Sequence, residues 1–312
     1  RPREVPLSTR AIELLRALTD LADRRRYLSI AAKSQPLDDR LSQRNFNRLA
    51  KYIYDYSGIK MPPNKVTMLE GRLRRRLRVT GFDNFDAYCD YLFEADGLAT
   101  ESLHLIDSVT TNKTDFFREP KHFEYLVETG LPDILQTFGD RRIRTWSSAC
   151  STGAEPYTMA MVLADFLAAS APERDFFVLA TDLSTEVLQK AHKGIYTADL
   201  LQPVPAAMMQ RYVMRSANRQ RNEVRIAPQL RSRVGFARLN LMDASYPVGD
   251  LMHVIFCRNV MIYFDKPTQQ RVLSRLCDCL LPGGYLLIGH SETVAGLELP
   301  LRQVANTIFK RV

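Results

Sequence analysis

Long apolar runs are missing from this 312-residue sequence. None reaches the 18 or so residues that a helix needs to span a bilayer, and no secretory signal pattern opens the chain, so no membrane insertion and a cytoplasmic location are expected. Cysteine is scarce and scattered. Cys89, Cys150, Cys257, Cys277 and Cys279 form no CxxC pair, and Cys277 and Cys279 fall on different faces of an expected helix. This argues against a disulfide framework and against a metal site, and reduced structural thiols are expected. The glycine fingerprints GxGxxG and GxxxxGK[ST] are absent too, which disfavours a dinucleotide or triphosphate cradle. Acids are in deficit, with 35 Asp and Glu against 43 Lys and Arg, a net charge of +8. That balance asks for an acidic partner but does not choose among nucleic acid, anionic membrane and acidic protein.

What the chain does contain is an ordinary globular composition and enough length for one or two domains. Ser8 to Ile30 is expected to be a helix and Ala31 to Arg40 a polar linker, so residues 1–40 are read as an N-terminal extension. Residues 41–118 read as a small helical domain and connector, with turn signals at Ser57-Gly58, Pro62-Pro63 and Gly81. Within it, Lys65 to Thr80 repeats Met68 or Leu69, Leu73 and Leu77 at helical spacing and crowds Arg72, Arg74, Arg75, Arg76 and Arg78 onto the remaining surface. Such a helix is either a solvated face, with arginine stems covering apolar surface, or an electrostatic docking face. No aromatic residue interleaves with these arginines, so single-stranded nucleic acid is disfavoured. The connector TNKTDFFREPKHF, Thr111 to Phe123, sets Asn112, Thr114 and Arg118 beside two phenylalanines.

Residues 119–312 read as a second domain, in which strand and helix alternate from Arg141 to the end. Strands are expected at Arg142–Ser148, Phe176–Thr181, Val234–Leu239, Leu251–Cys257 and Tyr285–Gly289, the last entered through a turn at Pro282-Gly283-Gly284, and Val304–Val312 forms an edge pair. The succession describes an α/β doubly wound, Rossmann-like sheet, preceded by the small all-α domain and interrupted at about 197–233 by an antiparallel β insertion. In such a sheet a ligand sits outside the carboxyl ends of the strands, where this chain offers Glu155, Asp182, Asn240, and Arg258 with Asn259. Glu155 stands where a loop of small residues, SSACSTGAE, enters its helix. An acid there repels pyrophosphate but receives an ammonium or a ribose hydroxyl, so a cationic, phosphate-free nucleoside fits. Taken alone, the loop is equally plain scaffolding.

TNKTDFFREPKHF, WSSACSTGAEPY, the strand ending in Asp182, and IFCRNVMIYFDKPTQ at Ile255 to Gln269 together resemble the chemotaxis-receptor methyltransferases of the CheR type, in order, over about Leu41 to Val312. The resemblance implies a class I methyltransferase fold and S-adenosylmethionine as cofactor, with S-adenosylhomocysteine as product. It also implies methylation of glutamate side chains on bacterial chemoreceptors, giving 5-O-methyl esters. Asn112, Thr114, Arg118, Glu155, Asp182, Asn240, Leu241, Arg258 and Asn259 would hold the cofactor, and Arg118 and Tyr263 would face the reacting methyl and the incoming carboxylate. Arg72, Arg75, Arg76 and Arg78 would dock on the helical cytoplasmic domain of a receptor. Members of the family can bind a receptor's C-terminal peptide along the inserted β piece. Here Arg215 to Ile226 lacks the glycines that mark those members, and a solvated hairpin is expected instead. His290, in GYLLIGHSE, is read as structural. A monomer with no nucleic-acid partner is expected, and the alternative function is a module that binds cofactor and receptor without turnover.

Elementary chemistry agrees with the resemblance. A glutamate side chain, with a reference pKa of about 4.3, is already ionised at neutral pH and needs no general base, so the lack of a Ser/His/Asp arrangement is no loss. Enzymes that methylate exocyclic amines resemble one another in an (Asp/Asn)-Pro-Pro-(Tyr/Phe) turn after the fourth strand. Arg258-Asn259-Val260-Met261 stands there instead, and a cation suits an acidic acceptor.

Overall fold

The computed structural model describes residues 40–139, 142–218 and 220–312, so the helix expected over Ser8 to Ile30 lies outside the described residues. The chain divides into two compact units, the first ending at Thr110 and the second comprising Tyr56–Lys60 and Thr111–Val312. No helix among the described residues is long and apolar enough to cross a membrane.

The first unit is helical: α1 (Gln43–Ser57), α2 (Val66–Thr80), α3 (Phe85–Glu94) and α4 (Leu98–Val109). Leu69, Leu73 and Leu77 of α2 are buried at intervals of four, as their spacing predicts. The helix stops at Gly81, whose φ of 79° is left-handed and whose N–H caps the Leu77 carbonyl. At the start of α3 the Asn84 side chain accepts from Ala87 N at 2.8 Å.

The second unit is a seven-stranded sheet in the order β6-β2-β1-β7-β8-β10-β9. Its strands are β1 (Arg142–Ser147), β2 (Asp175–Asp182), β6 (Val234–Arg238), β7 (Met252–Cys257), β8 (Leu280–Ile288), β9 (Leu301–Ala305) and β10 (Ile308–Arg311). The first five run parallel and the last two form an antiparallel hairpin on β8. All six residues of β7 are buried. Alternation sends Val254 and Phe256 into one core layer, and Ile255 and Cys257 into the other. Helices α5 (Lys121–Tyr125), α6 (Leu131–Thr137), α7 (Ala154–Ser170) and α8 (Thr185–Lys193) precede the insertion, in which β3 (Ile195–Thr197), β5 (Glu223–Ile226) and β4 (Val213–Arg215) form a separate antiparallel sheet. Helices α9 (Ala206–Tyr212), α10 (Pro228–Arg231) and α11 (Lys266–Asp278) complete the unit.

Three expectations shift. Residues 111–118, read as the connector that follows the helical domain, group with the sheet. Phe116 is 1% exposed in the sheet's core, edge-on to Tyr196 at 5.1 Å. The strand expected from Tyr285 starts at Leu280, because residues 281–284 bulge out between the Met252–Leu280 and Val254–Tyr285 pairs, with Gly283 at φ 85°. The helices flanking the π-helical turn Leu126–Gly130 escaped the sequence reading, since Gly130 and Pro132 interrupt their period.

Candidate active site

The order β6-β2-β1-β7 brings the carboxyl ends of four strands side by side, and with them Asn240, Asp182, the loop before Glu155, and Arg258 with Asn259. Asp182 is oriented by two backbone donors, Ser151 N at 2.8 Å and Ser184 N at 2.9 Å, one on each oxygen. Ser151, at φ 50°, donates its hydroxyl to the Asn112 carbonyl at 2.8 Å, which ties the connector to the loop. Thr114 lies half-buried in the same connector. Gly153 has φ 94°, and a Cβ there would meet the Tyr196 hydroxyl at 2.8 Å, so only glycine fits this close turn into α7. Asn240 donates to the Tyr56 carbonyl at 2.6 Å and accepts from Met242 N at 3.0 Å. Buried Leu241 accepts the Tyr246 hydroxyl on its carbonyl at 2.7 Å.

At the β7 tip, the Arg258 guanidinium, with 2% of its side chain exposed, lies between two carboxylates. Glu119 is 3.0 Å away and Glu155 is 3.2 Å away. A further N–H of Arg258 goes to the Arg118 carbonyl. Phe123 and Phe256 cover the guanidinium with ring centroids at 5.6 and 5.5 Å, keeping water off the cluster. Burial pushes the Glu155 carboxyl up, while Arg258 and the Ser147 hydroxyl, 2.7 Å away, pull it down. Burial acts on Glu119 as well, but Arg258, the Asn259 amide and the His290 N–H outweigh it and hold that carboxyl below its usual range. Burial, then Arg258, pushes the neighbouring His122 imidazole down to about 3, so the ring is neutral.

The loop after β7 rests on another buried carboxylate, Glu292. It accepts Gly289 N at 2.6 Å and Asn259 N at 3.0 Å on one oxygen, and Met261 N at 2.7 Å on the other. These donors hold Asn259 at φ 57°, and a Cβ on Gly289 would strike the Asn259 amide nitrogen at 2.5 Å. Glu292→Ala is expected to strand these N–H groups at a cost of about 1–3 kcal/mol, read as a fall of several degrees in melting temperature. Glu292→Gln, which keeps acceptor oxygen in place, should lose less.

Arg118 and Tyr263 flank this loop system. Arg118, half-buried, donates to the Lys113 carbonyl at 3.1 Å and sits between two left-handed residues, Phe117 at φ 52° and Glu119 at φ 56°. Tyr263 ends the short 3-10 turn Met261–Tyr263, half-buried, beside Ile262, which is 53% exposed. Sequence reasoning missed Glu119, Ser147, Ser151 and Glu292. The signals were present: Glu119 directly follows Arg118 in the connector motif, and Glu292 ends GYLLIGHSE.

The basic helix α2 belongs to the other unit and divides in two. Arg76 forks onto Glu101 with two contacts of 2.6 Å, and Arg72 caps the end of α4 through the carbonyls of Val109 and Thr110. Both were expected in docking, but their guanidinium groups are engaged inside the helical unit. Arg75 and Arg78 are exposed.

Two family descriptions match the chain, "CheR methyltransferase, all-alpha domain" over residues 44–110 and "CheR methyltransferase, SAM binding domain" over residues 112–309. The chemotaxis protein methyltransferase of Escherichia coli is 41% identical over 269 residues, covering 86% of this chain and 91% of the relative. That of Salmonella typhimurium is 42% identical, covering 86% and 90%, and that of Borreliella burgdorferi 37%, covering 83% and 92%. The chain therefore belongs to the CheR methyltransferase family.

Proposed function

We propose that this protein methylates glutamate side chains of bacterial chemoreceptors, in the cytoplasm, using S-adenosylmethionine. The supporting observation is the Glu155–Arg258–Glu119 cluster. Two carboxylates around one guanidinium leave a net negative charge, largely buried, at the strand tips, which favours a ligand carrying ammonium and sulfonium charge and repels pyrophosphate. Asn112, Thr114, Arg118, Glu155, Asp182, Asn240, Leu241, Arg258 and Asn259 are the residues proposed to hold the cofactor. When bound, it supplies an electrophilic methyl carbon.

The acceptor carboxylate arrives ionised, so the protein's tasks are alignment and exclusion of water. Arg118 is assigned the orientation of that carboxylate, and Tyr263 a single neutral hydrogen bond to it, which fixes the oxygen without quenching its nucleophilicity. On α2, docking on an acidic receptor surface falls to exposed Arg75 and Arg78, with Arg72 and Arg76 holding the helix in place.

Incubation with labelled S-adenosylmethionine and receptor cytoplasmic fragments should yield base-labile methyl groups. Cofactor binding with no ester at any receptor concentration would overturn this reading in favour of a binding module. Arg118→Ala is expected to lower kcat by roughly a hundredfold or more. Arg75→Ala should raise the KM for receptor a few-fold and leave kcat unchanged.

A further inference from the structure

Glu119, His122 and His290 bring donor atoms within 4.8 Å of one another from three places in the chain: the loop before α5, its first turn, and the residues after β8. His122 is 1% exposed, and its two nitrogens are unequally served. Nε2 lies 2.8 Å from the Thr307 hydroxyl oxygen, while Nδ1 has no hydrogen-bond partner among the described residues. The Thr307 hydroxyl has one proton and an acceptor for it in the Asn306 carbonyl 2.7 Å away. With the hydroxyl proton used there, Nε2 donates to Thr307 and the unpartnered Nδ1 is the nitrogen left to present a lone pair. That lone pair faces Glu119 Oε2 at 3.5 Å. Two electron-rich atoms at this distance, screened from water, repel each other unless a cation or a donor lies between them.

We propose that Glu119, His122 Nδ1 and His290 form a binding site for a divalent transition-metal ion of the zinc class. Imidazole nitrogen with carboxylate oxygen is a donor set for zinc and its neighbours rather than for magnesium or calcium. Donors about 2.0–2.2 Å from a tetrahedral ion lie roughly 3.3–3.6 Å from each other, which the His122–Glu119 pair satisfies as it stands. His290 is exposed, its ring edge-on to His122 at a centroid distance of 4.9 Å, and a small rotation completes the set. The surroundings tolerate the ion: Glu119, Glu155 and Arg258 sum to one negative charge before it enters. Glu119 Oε2 is also the oxygen that holds Arg258, at 3.0 Å, while Oε1 accepts from the Asn259 amide and the His290 N–H. A metal on Oε2 competes with Arg258 and loosens the cluster at the β7 tip. The ion is therefore an inhibitor, a consequence that rests on the methyltransferase reading, whereas the binding itself does not.

The test is isothermal titration of the 312-residue chain with zinc, with cobalt as a spectroscopic probe of tetrahedral geometry. One ion per chain is expected. His290→Ala, at an exposed position, should weaken zinc binding at least tenfold and remove the cobalt signature, and His192→Ala should change neither. Methyl transfer, measured relative to each variant's own zinc-free rate, should be zinc-sensitive in the parent and correspondingly less so in His290→Ala. Absence of stoichiometric binding, or equal affinity in parent and His290→Ala, would overturn the assignment whether or not the protein transfers methyl groups.

Discussion

Arg258→Met is expected to abolish methyl transfer and to lower the melting temperature by roughly 6–20 °C. The substitution keeps much of the side chain's volume but removes the guanidinium that pairs with both Glu119 and Glu155. Removing one partner of a buried ion pair costs about 3–5 kcal/mol, and in a unit of about 200 residues each kcal/mol moves the midpoint by about 2–4 °C. One carboxylate then recovers by taking up a proton. Glu155 is the candidate, since burial already pushes its carboxyl up and Arg258 pulls it back. Activity should fall further than stability, because the loss also releases the Arg118 carbonyl and with it the connector that carries Asn112 and Thr114. Arg258→Lys should recover part of the stability and little activity: one ammonium cannot serve two carboxylates and a carbonyl in the guanidinium's plane. Thermal denaturation alongside the labelled-methyl assay decides it, and a variant that is both stable and active would refute the account.

Arg76→Ala is expected to unfold the helical unit near physiological temperature. Glu101 is fully buried, and its carboxylate meets the Arg76 fork at 2.6 Å on both oxygens, with Tyr88 donating at 3.3 Å. Without the guanidinium a buried carboxylate loses its charge partner, again at about 3–5 kcal/mol. In a unit of about 70 residues each kcal/mol is worth about 4–8 °C, so the midpoint should drop by about 12 °C or more. Paired replacement, Arg76→Met with Glu101→Leu, should restore most of the loss, because it removes both charges and keeps apolar volume. Hydrogen exchange of α2 and α4 in the full chain reads the effect locally. Arg75→Ala, one residue away and exposed, should leave the same amides protected. If the two single variants were equally stable, Arg76 would return to the docking face.

These two arginines show where sequence reading stops. The period of Leu69, Leu73 and Leu77 places the buried stripe of α2, and Arg72 and Arg76 border it, but which of the neighbouring arginines finds a carboxylate depends on Glu101, 25 residues away. The strands of the sheet were legible because burial on both faces demands continuous apolar runs, of which Met252 to Cys257 is the extreme case. The start of β8 was not, since Pro282-Gly283-Gly284 signals a turn and a bulge equally well. In the site, the strand-end positions Glu155, Asp182, Asn240, Arg258 and Asn259 follow from topology alone. Glu119 and Glu292 do not, because their roles arise from chain segments that meet only after the sheet has formed: Glu119 with Arg258, and Glu292 with the amide of Asn259.

Phe117, Glu119, Ser151 and Asn259 all have positive φ, although none is glycine, and all four lie in the connector and strand-end loops that carry the candidate site residues. Each holds a backbone shape that an L-residue on its own avoids by about 1–2 kcal/mol, so the shape is imposed by neighbours rather than by local preference. Warming that slackens those neighbours lets the loops slip into ordinary basins while sheet and helices stay intact. Inactivation and melting are thus expected to be separate events, with methyl transfer failing at the lower temperature.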